Sequence, residues 1–120
     1  MKHVLRDKSL SFAVEVIILG QEMVKSNEFV LSRQLVRSGT AVGALIREAR
    51  FAESSADYLH KLSISLKEAN ETDYWLDLIC KTYPVWNQKA NCLKKLCNEL
   101  IAMLVAATKT LKEKRLKNKL

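Results

Sequence analysis

Between Leu31 and Ile79 the chain reads as two long helices, and Ser54-Ser55 is the joint between them. Apolar residues recur through this stretch at helical spacing, and alternating β-branched runs bounded by turns are missing from the chain. Three glycines and one proline in 120 residues leave few breakpoints. Long uninterrupted elements and an all-α class are therefore expected. A chain of this length is most simply one domain, with a core but little to spare.

The spacing predicts helices over about 8–25, 30–53, 55–81 and 87–114. The first carries two apolar stripes side by side. Leu10, Ala13, Ile17, Gly20 and Val24 form one, Phe12, Val16, Leu19 and Met23 the other, and Val14 and Ile18 widen them. A helix apolar over most of its circumference is buried on two sides, which points to self-association. The second helix should bury Leu31, Leu35, Ser38, Val42, Leu45, Ile46, Ala49 and Ala52. Gly39 and Gly43 cost it about 1 kcal/mol each against Ala, and close approach of a neighbouring backbone is the expected reason for them. Its opposite face carries Arg33, Arg37, Thr40, Ala44, Arg47 and Phe51.

Ser54 and Asp57 stand at capping-box spacing before the third helix, with Asp in place of Glu. Its seam is Leu59, Leu62, Leu66, Ala69, Leu76 and Cys80, and Asp73 falls inside it. A buried carboxylate needs a partner; an arginine or a tyrosine hydroxyl is expected. The far side mixes Asp57, Ile64, Glu68, Glu71, Trp75 and Leu78, as a contact surface would. Tyr83-Pro84 ends this helix. The fourth should bury Leu93, Leu96, Cys97, Leu100, Leu104, Ala107 and Leu111, after which the basic tail 109–120 is expected to leave the bundle and fray.

The wording of the second and third helices resembles one family. Leu31-Ser32-Arg33-Gln34-Leu35, Arg37-Ser38-Gly39-Thr40-Ala41-Val42-Gly43 and Arg47-Glu48-Ala49 carry the likeness. It continues through Ala56-Asp57-Tyr58-Leu59-His60-Lys61-Leu62-Ser63-Ile64 and Lys67-Glu68-Ala69-Asn70-Glu71-Thr72-Asp73-Tyr74-Trp75-Leu76, and Ser11-Phe12-Ala13-Val14 also fits. These segments are similar to the bacterial four-helix bundle proteins, which include proteins encoded within intervening sequences of large-subunit (23S) ribosomal RNA genes. The likeness covers nearly the whole chain and is generic after Thr82; Ala44-Leu45 departs from the Ala-Asn common in the family. It implies an antiparallel up-down-up-down bundle assembling as a ring-shaped homopentamer. It also suggests kinship with accessory proteins of diversity-generating retroelements, basic pentamers that bind nucleic acid and a reverse transcriptase.

The net charge of +7 is unevenly spread: Lys109, Lys112, Lys114, Arg115, Lys117 and Lys119 face Glu113 alone in the last twelve residues. Such a tail attracts polyanions, nucleic acid first and acidic membrane surfaces second. The bland alternative is a solvated end that complements the helix dipole. Cys80, Cys92 and Cys97 are odd in number and lack a CxxC. Cys92 and Cys97 stand about 140° apart on a helix, so neither zinc nor a disulfide framework is supported, and reduced thiols in the cytoplasm are expected. No signal peptide or membrane span is visible; the run Val14–Gly20 is too short.

Di-iron bundles need Glu-x-x-His pairs, whereas here Asp57-x-x-His60 stands alone and Glu68-x-x-Glu71 has no histidine. No enzyme, cofactor or metal is expected; a carboxylate site at Glu48, Glu68 and Glu71 is the weakest alternative. Arg33, Arg37 and Arg47 either track phosphates or pair with Glu68 and Glu71 of an adjacent subunit. The second is preferred, because a ring must bury both stripes. The expected interface is then Arg33, Arg37, Arg47, Ile64, Glu68, Glu71 and Trp75. Nucleic-acid contact falls to the tail, with Lys94 and Lys95 added. No helix-turn-helix, zinc-finger or RNP pattern supports sequence readout. The expected function is a non-enzymatic oligomeric scaffold binding nucleic acid, RNA favoured; a purely protein-binding scaffold is the competitor.

Overall fold

The computed structural model describes residues 2–118. Four α-helices follow one another, α1 (Lys2–Lys25), α2 (Val30–Ala49), α3 (Ser55–Thr82) and α4 (Asn87–Asn118), with a 3-10 turn at Pro84–Trp86. Each packs antiparallel against the next, and α4 closes the bundle on α1. Lys8 reaches Glu99 and Glu22 reaches Lys89, so α1 and α4 run in opposite senses.

Local chemistry explains the joints. The α1 terminus is a Schellman turn: Asn27 takes φ 66°, its N–H donates to the Val24 carbonyl, and the Glu28 N–H donates to that of Met23. Asparagine tolerates this left-handed backbone. The Glu28 side chain then accepts from the Leu31 N–H at 2.9 Å and from the Tyr83 hydroxyl. Tyr83 packs on the buried Trp86, with ring centroids 4.7 Å apart, so the α1–α2 joint is tied to the α3–α4 joint. At Ser54-Ser55 the Ser54 hydroxyl accepts from the Asp57 N–H at 3.0 Å, while Asp57 accepts from the Glu53 N–H at 3.1 Å. That second bond holds Glu53 outside α2, which ends at Ala49 rather than near residue 53.

Two other helix limits differ from expectation. α1 begins at Lys2 instead of near Lys8, because Leu5 packs against the core and nothing before it breaks the helix. α4 remains helical to Asn118 instead of fraying after Lys114. Leu111 packs against the core, and the Arg115 guanidinium donates to the Ser55 hydroxyl at 2.7 Å. The molecule is 55 Å long, whereas α2 spans roughly 30 Å at 1.5 Å per residue. The start of α3 and the end of α4 thus project as a two-helix end.

The core takes Phe12, Val16, Leu19 and Met23 from α1, Leu35, Val42 and Ile46 from α2, and Leu62, Ala69, Leu76 and Ile79 from α3. α4 adds Leu93, Cys97, Leu100 and Leu104; Leu96 lies exposed instead. Between α2 and α3 the packing is polar as well as apolar. The buried Ser65 hydroxyl donates to the Val42 carbonyl at 2.8 Å, and the Ser38 and Thr72 hydroxyls meet at 2.8 Å. Every such group has a partner among the described residues, so the small side chains bring the helices close without stranding a polar atom. Towards α1 the close approach relies on glycine. A Cβ on Gly39 would stand 2.8 Å from Val16 Cγ1, and one on Gly20 would stand 2.5 Å from Val36 Cγ2.

Candidate functional site

Three surfaces carry the residues singled out by the sequence. The first is the charged seam between α2 and α3. Arg37 donates to Glu68 at 3.3 Å and also to Glu71, while the Trp75 indole N–H donates to Glu71 at 2.9 Å. The Trp75 bond, followed by the Arg37 guanidinium, holds the Glu71 carboxyl below the usual carboxylate range. These partners belong to one chain, so Arg37 is paired with the expected glutamates within its own bundle. The two helices lie side by side, so the long arginine side chain spans the gap within the bundle. Arg33 and Arg47, on the same stripe, are exposed and form no ion pair among the described residues. Ile64 is half-buried on α3.

The second surface is the α3–α4 seam. Asp73 accepts from Lys94 Nζ at 2.9 Å and from the Asn98 amide at 3.2 Å, and Lys94 also reaches Asp77 at 3.0 Å. The partner of Asp73 is therefore lysine and asparagine, not arginine or tyrosine. Burial pulls the Lys94 ammonium down, but the two carboxylates outweigh it and the pKa ends raised. Lys94 is not the free phosphate-seeking cation expected of it, because its charge is spent on Asp73 and Asp77. Beneath it, burial and the Asp73 charge push the Cys97 thiol up to about 12, so this cysteine stays protonated.

The third surface is the projecting end of α4. Lys109, Lys112, Lys114 and Lys117 are exposed there and form no ion pair among the described residues, as does Lys95 further down the helix. Arg115 is half-buried and tied to Ser55. Lys119 lies outside the described residues.

Sequence reasoning missed a fourth feature, a trough between α1 and α2. Leu10, Ala13, Gly43, Ala44, Arg47 and Phe51 line one hollow of 430 Å³ with Arg6 at its edge. Ile17, Gly20, Val24, Phe29, Arg33 and Val36 line a second of 920 Å³. The signal was present. Leu10, Ala13, Ile17, Gly20 and Val24, already read as one apolar stripe of α1, alternate at spacings of three and four and form the α1 wall of the trough.

Glu68 and Glu71 are held by Arg37, and Glu48 lies 3.6 Å from Lys61. Among the described residues no group of three His, Cys, Asp or Glu side chains is placed to hold a metal ion. No helix among them is long and apolar enough to cross a membrane.

Comparison with known families gives the bundle a place. A family model for the 23S rRNA-intervening sequence protein matches residues 2–106. The chain belongs to that family. A crystal structure at 1.70 Å of an S23 ribosomal protein family member of unknown function from Bacteroides thetaiotaomicron is 44% identical. The match covers 91% of this chain and 99% of that one, with a TM-score of 0.86. A search of curated proteins gave no match. The family match stops at residue 106, so the basic end of α4 lies beyond the part that defines the 23S rRNA-intervening sequence proteins.

Proposed function

We propose that this chain is a non-enzymatic scaffold that binds nucleic acid, RNA foremost, through phosphates at the projecting end of α4. One observation carries the reading: α4 stays helical past the point where α1 and α2 stop, and it holds Lys109, Lys112, Lys114 and Lys117 exposed and without an ion pair among the described residues. A helix that is already formed loses little further chain entropy on binding. Its lysines point around the axis, so contact follows charge, not base sequence.

The scaffold works in several copies. Val14 and Ile18 are 48% and 42% exposed on the outer side of α1, and the exposed Leu96 of α4 lines a hollow with Ser11 of α1. Copies joined along this row bring their basic ends together, so weak single contacts add as avidity.

Salt-dependent titration of single-stranded RNA tests the reading. With full chain and the triple variant K112Q/K114Q/K117Q, the slope of log K against log salt should fall by about 2, near 0.7 per lost phosphate contact. Unchanged binding on substitution, or none by the full chain, would leave a protein-binding scaffold in its place. Sedimentation at micromolar concentration tests assembly, and a monodisperse monomer defeats that part.

A further inference from the structure

The outward face of α3 is not used by that reading. His60, Lys67, Tyr74 and Lys81 follow one another at intervals of seven, and all four are exposed. Seven residues fall only about 20° short of two full turns. The four therefore make a nearly straight ridge, with roughly 10 Å between neighbours at 1.5 Å per residue. The Arg115–Ser55 and Asn98–Asp73 bonds fix the register of α3 against α4 and set His60 level with the stretch from Lys109 to Lys112. The ridge thus begins beside the basic end of α4 and runs down the bundle. α3 packs on α2 and α4, as α1 does from the other side. The ridge accordingly lies diagonally across the bundle from the Val14–Ile18 row, and the two surfaces share no residue.

Charge and chemistry decide the occupant. α3 carries five carboxylates, and each is engaged within the chain. Asp57 accepts from the Glu53 N–H, Glu68 and Glu71 pair with Arg37, and Asp73 and Asp77 pair with Lys94. Lys67 and Lys81 form no ion pair among the described residues, so the ridge is left cationic. Midway between these lysines stands Tyr74, 56% exposed. Its ring meets Trp75 in an edge contact with centroids 5.3 Å apart, and the Trp75 indole is bonded to Glu71, which Arg37 holds in turn. A ring braced in this way offers its face without first having to be ordered. The centre of a protein interface is apolar and poor in lysine, whereas this line has no aliphatic side chain. An exposed ring with a cation on either side suits a stacked base between two phosphates. We propose that the ridge binds a single-stranded stretch of RNA, with one base stacked on Tyr74 and the backbone following Lys67 and Lys81. A duplex keeps its base faces covered within the stack and cannot use Tyr74. The class of ligand rests on the nucleic-acid reading above; the surface is separate, since no residue of the α4 end takes part.

A labelled RNA of about 20 nucleotides, single-stranded or annealed to its complement, serves as the probe. By fluorescence anisotropy on the full chain, Y74A should weaken the single strand about tenfold and leave the duplex unchanged, while Y74F should bind both as the unaltered chain does. K67Q/K81Q should lower the slope of log K against log salt for the single strand by about 1.4, near 0.7 per lost phosphate contact. K112Q/K114Q/K117Q should keep a residual single-strand binding that Y74A then removes. The proposal fails if Y74A leaves the single strand unchanged or weakens both forms alike, or if K67Q/K81Q leaves the slope as it was. Loss of all binding in K112Q/K114Q/K117Q also overturns it and leaves the α4 end as the RNA site. If that variant instead keeps the full slope while Y74A and K67Q/K81Q act as expected, the ridge stands and the α4 reading falls. A polyglutamate peptide that competes with the single strand on the unaltered chain but not on Y74A would assign the ridge to an acidic protein and defeat the proposal. So would sedimentation showing that Y74A breaks an assembly, because the ridge would then meet a second copy.

Discussion

Arg33, Arg37 and Arg47 share one stripe of α2, yet the two flanks of that helix treat them differently. Towards α3, Arg37 meets Glu68 and Glu71, and the hydroxyls of Ser38, Ser65 and Thr72 are all bonded. Towards α1, Arg33 and Arg47 line an apolar trough and form no ion pair among the described residues. Residue type is the same; the neighbouring helix differs. α3 presents carboxylates to α2, and α1 presents aliphatic groups and small residues. The α2–α3 flank is thus closed within one chain, and the α1–α2 flank leaves its arginines without an ion pair among the described residues.

The sharpest way to break this contrast lies on α1 itself. Val16 is fully buried and its neighbour Ile17 is 39% exposed. V16D should destabilise by on the order of 4 kcal/mol or more, the cost of placing a carboxyl without partners in the core. I17D should change stability by no more than about 0.5 kcal/mol. Chemical denaturation reads both, and a large loss in I17D would mean that the trough wall is part of the folding core.

Next in size is the glycine contact between α1 and α2 at Gly39 and Val16. G39L must push Val16 aside, since even a Cβ would stand 2.8 Å from it. A loss of about 1–3 kcal/mol is expected from such overpacking, measured by the same denaturation curves. A neutral result would show that α1 and α2 can separate, and that the trough is softer than drawn.

The smallest effect compares the arginines directly. Arg37 is exposed enough that R37A should cost less than about 1 kcal/mol, and R33A nothing measurable. The pH dependence tells them apart. The folded pKa of Glu71 is lowered by Trp75 and then Arg37, so its contribution is fully present above the ordinary glutamate value of 4.5 and is lost as pH falls through the lower folded value. R37A should diminish this acid-side loss, and R33A should leave it as it is. Identical acid profiles for the two variants would show that Arg37 and Glu71 are not coupled.

Much of the architecture was legible along the chain. The Asn27 stop, the Ser54–Asp57 start and the Tyr83-Pro84 stop are local, made by a few adjacent backbone and side-chain groups. The inner face of α1, Phe12 to Met23, followed from helical period alone. The candidate site was read less well. Lys94 looked like a free cation because Asp73 stands twenty-one positions away. Arg37 was matched to Glu68 and Glu71 but across subunits, because Glu71 is thirty-four positions away and nothing local brings the two together. The end of α4 looked frayed because Ser55, which holds Arg115, is sixty positions distant.

The sequence by itself determined that this protein is helical, where its joints fall, that α1 is apolar on two sides, and that its last turns are basic. These properties depend on composition, period and neighbours within a few residues. Only the tertiary structure decided which charges are spent and which remain. An ion pair forms when two helices bring distant side chains within about 4 Å, and a trough exists only once two helices lie side by side. Arg37 and Lys94 are thereby quieted inside the bundle, while Arg33, Arg47 and the lysines at the projecting end of α4 are left facing outward.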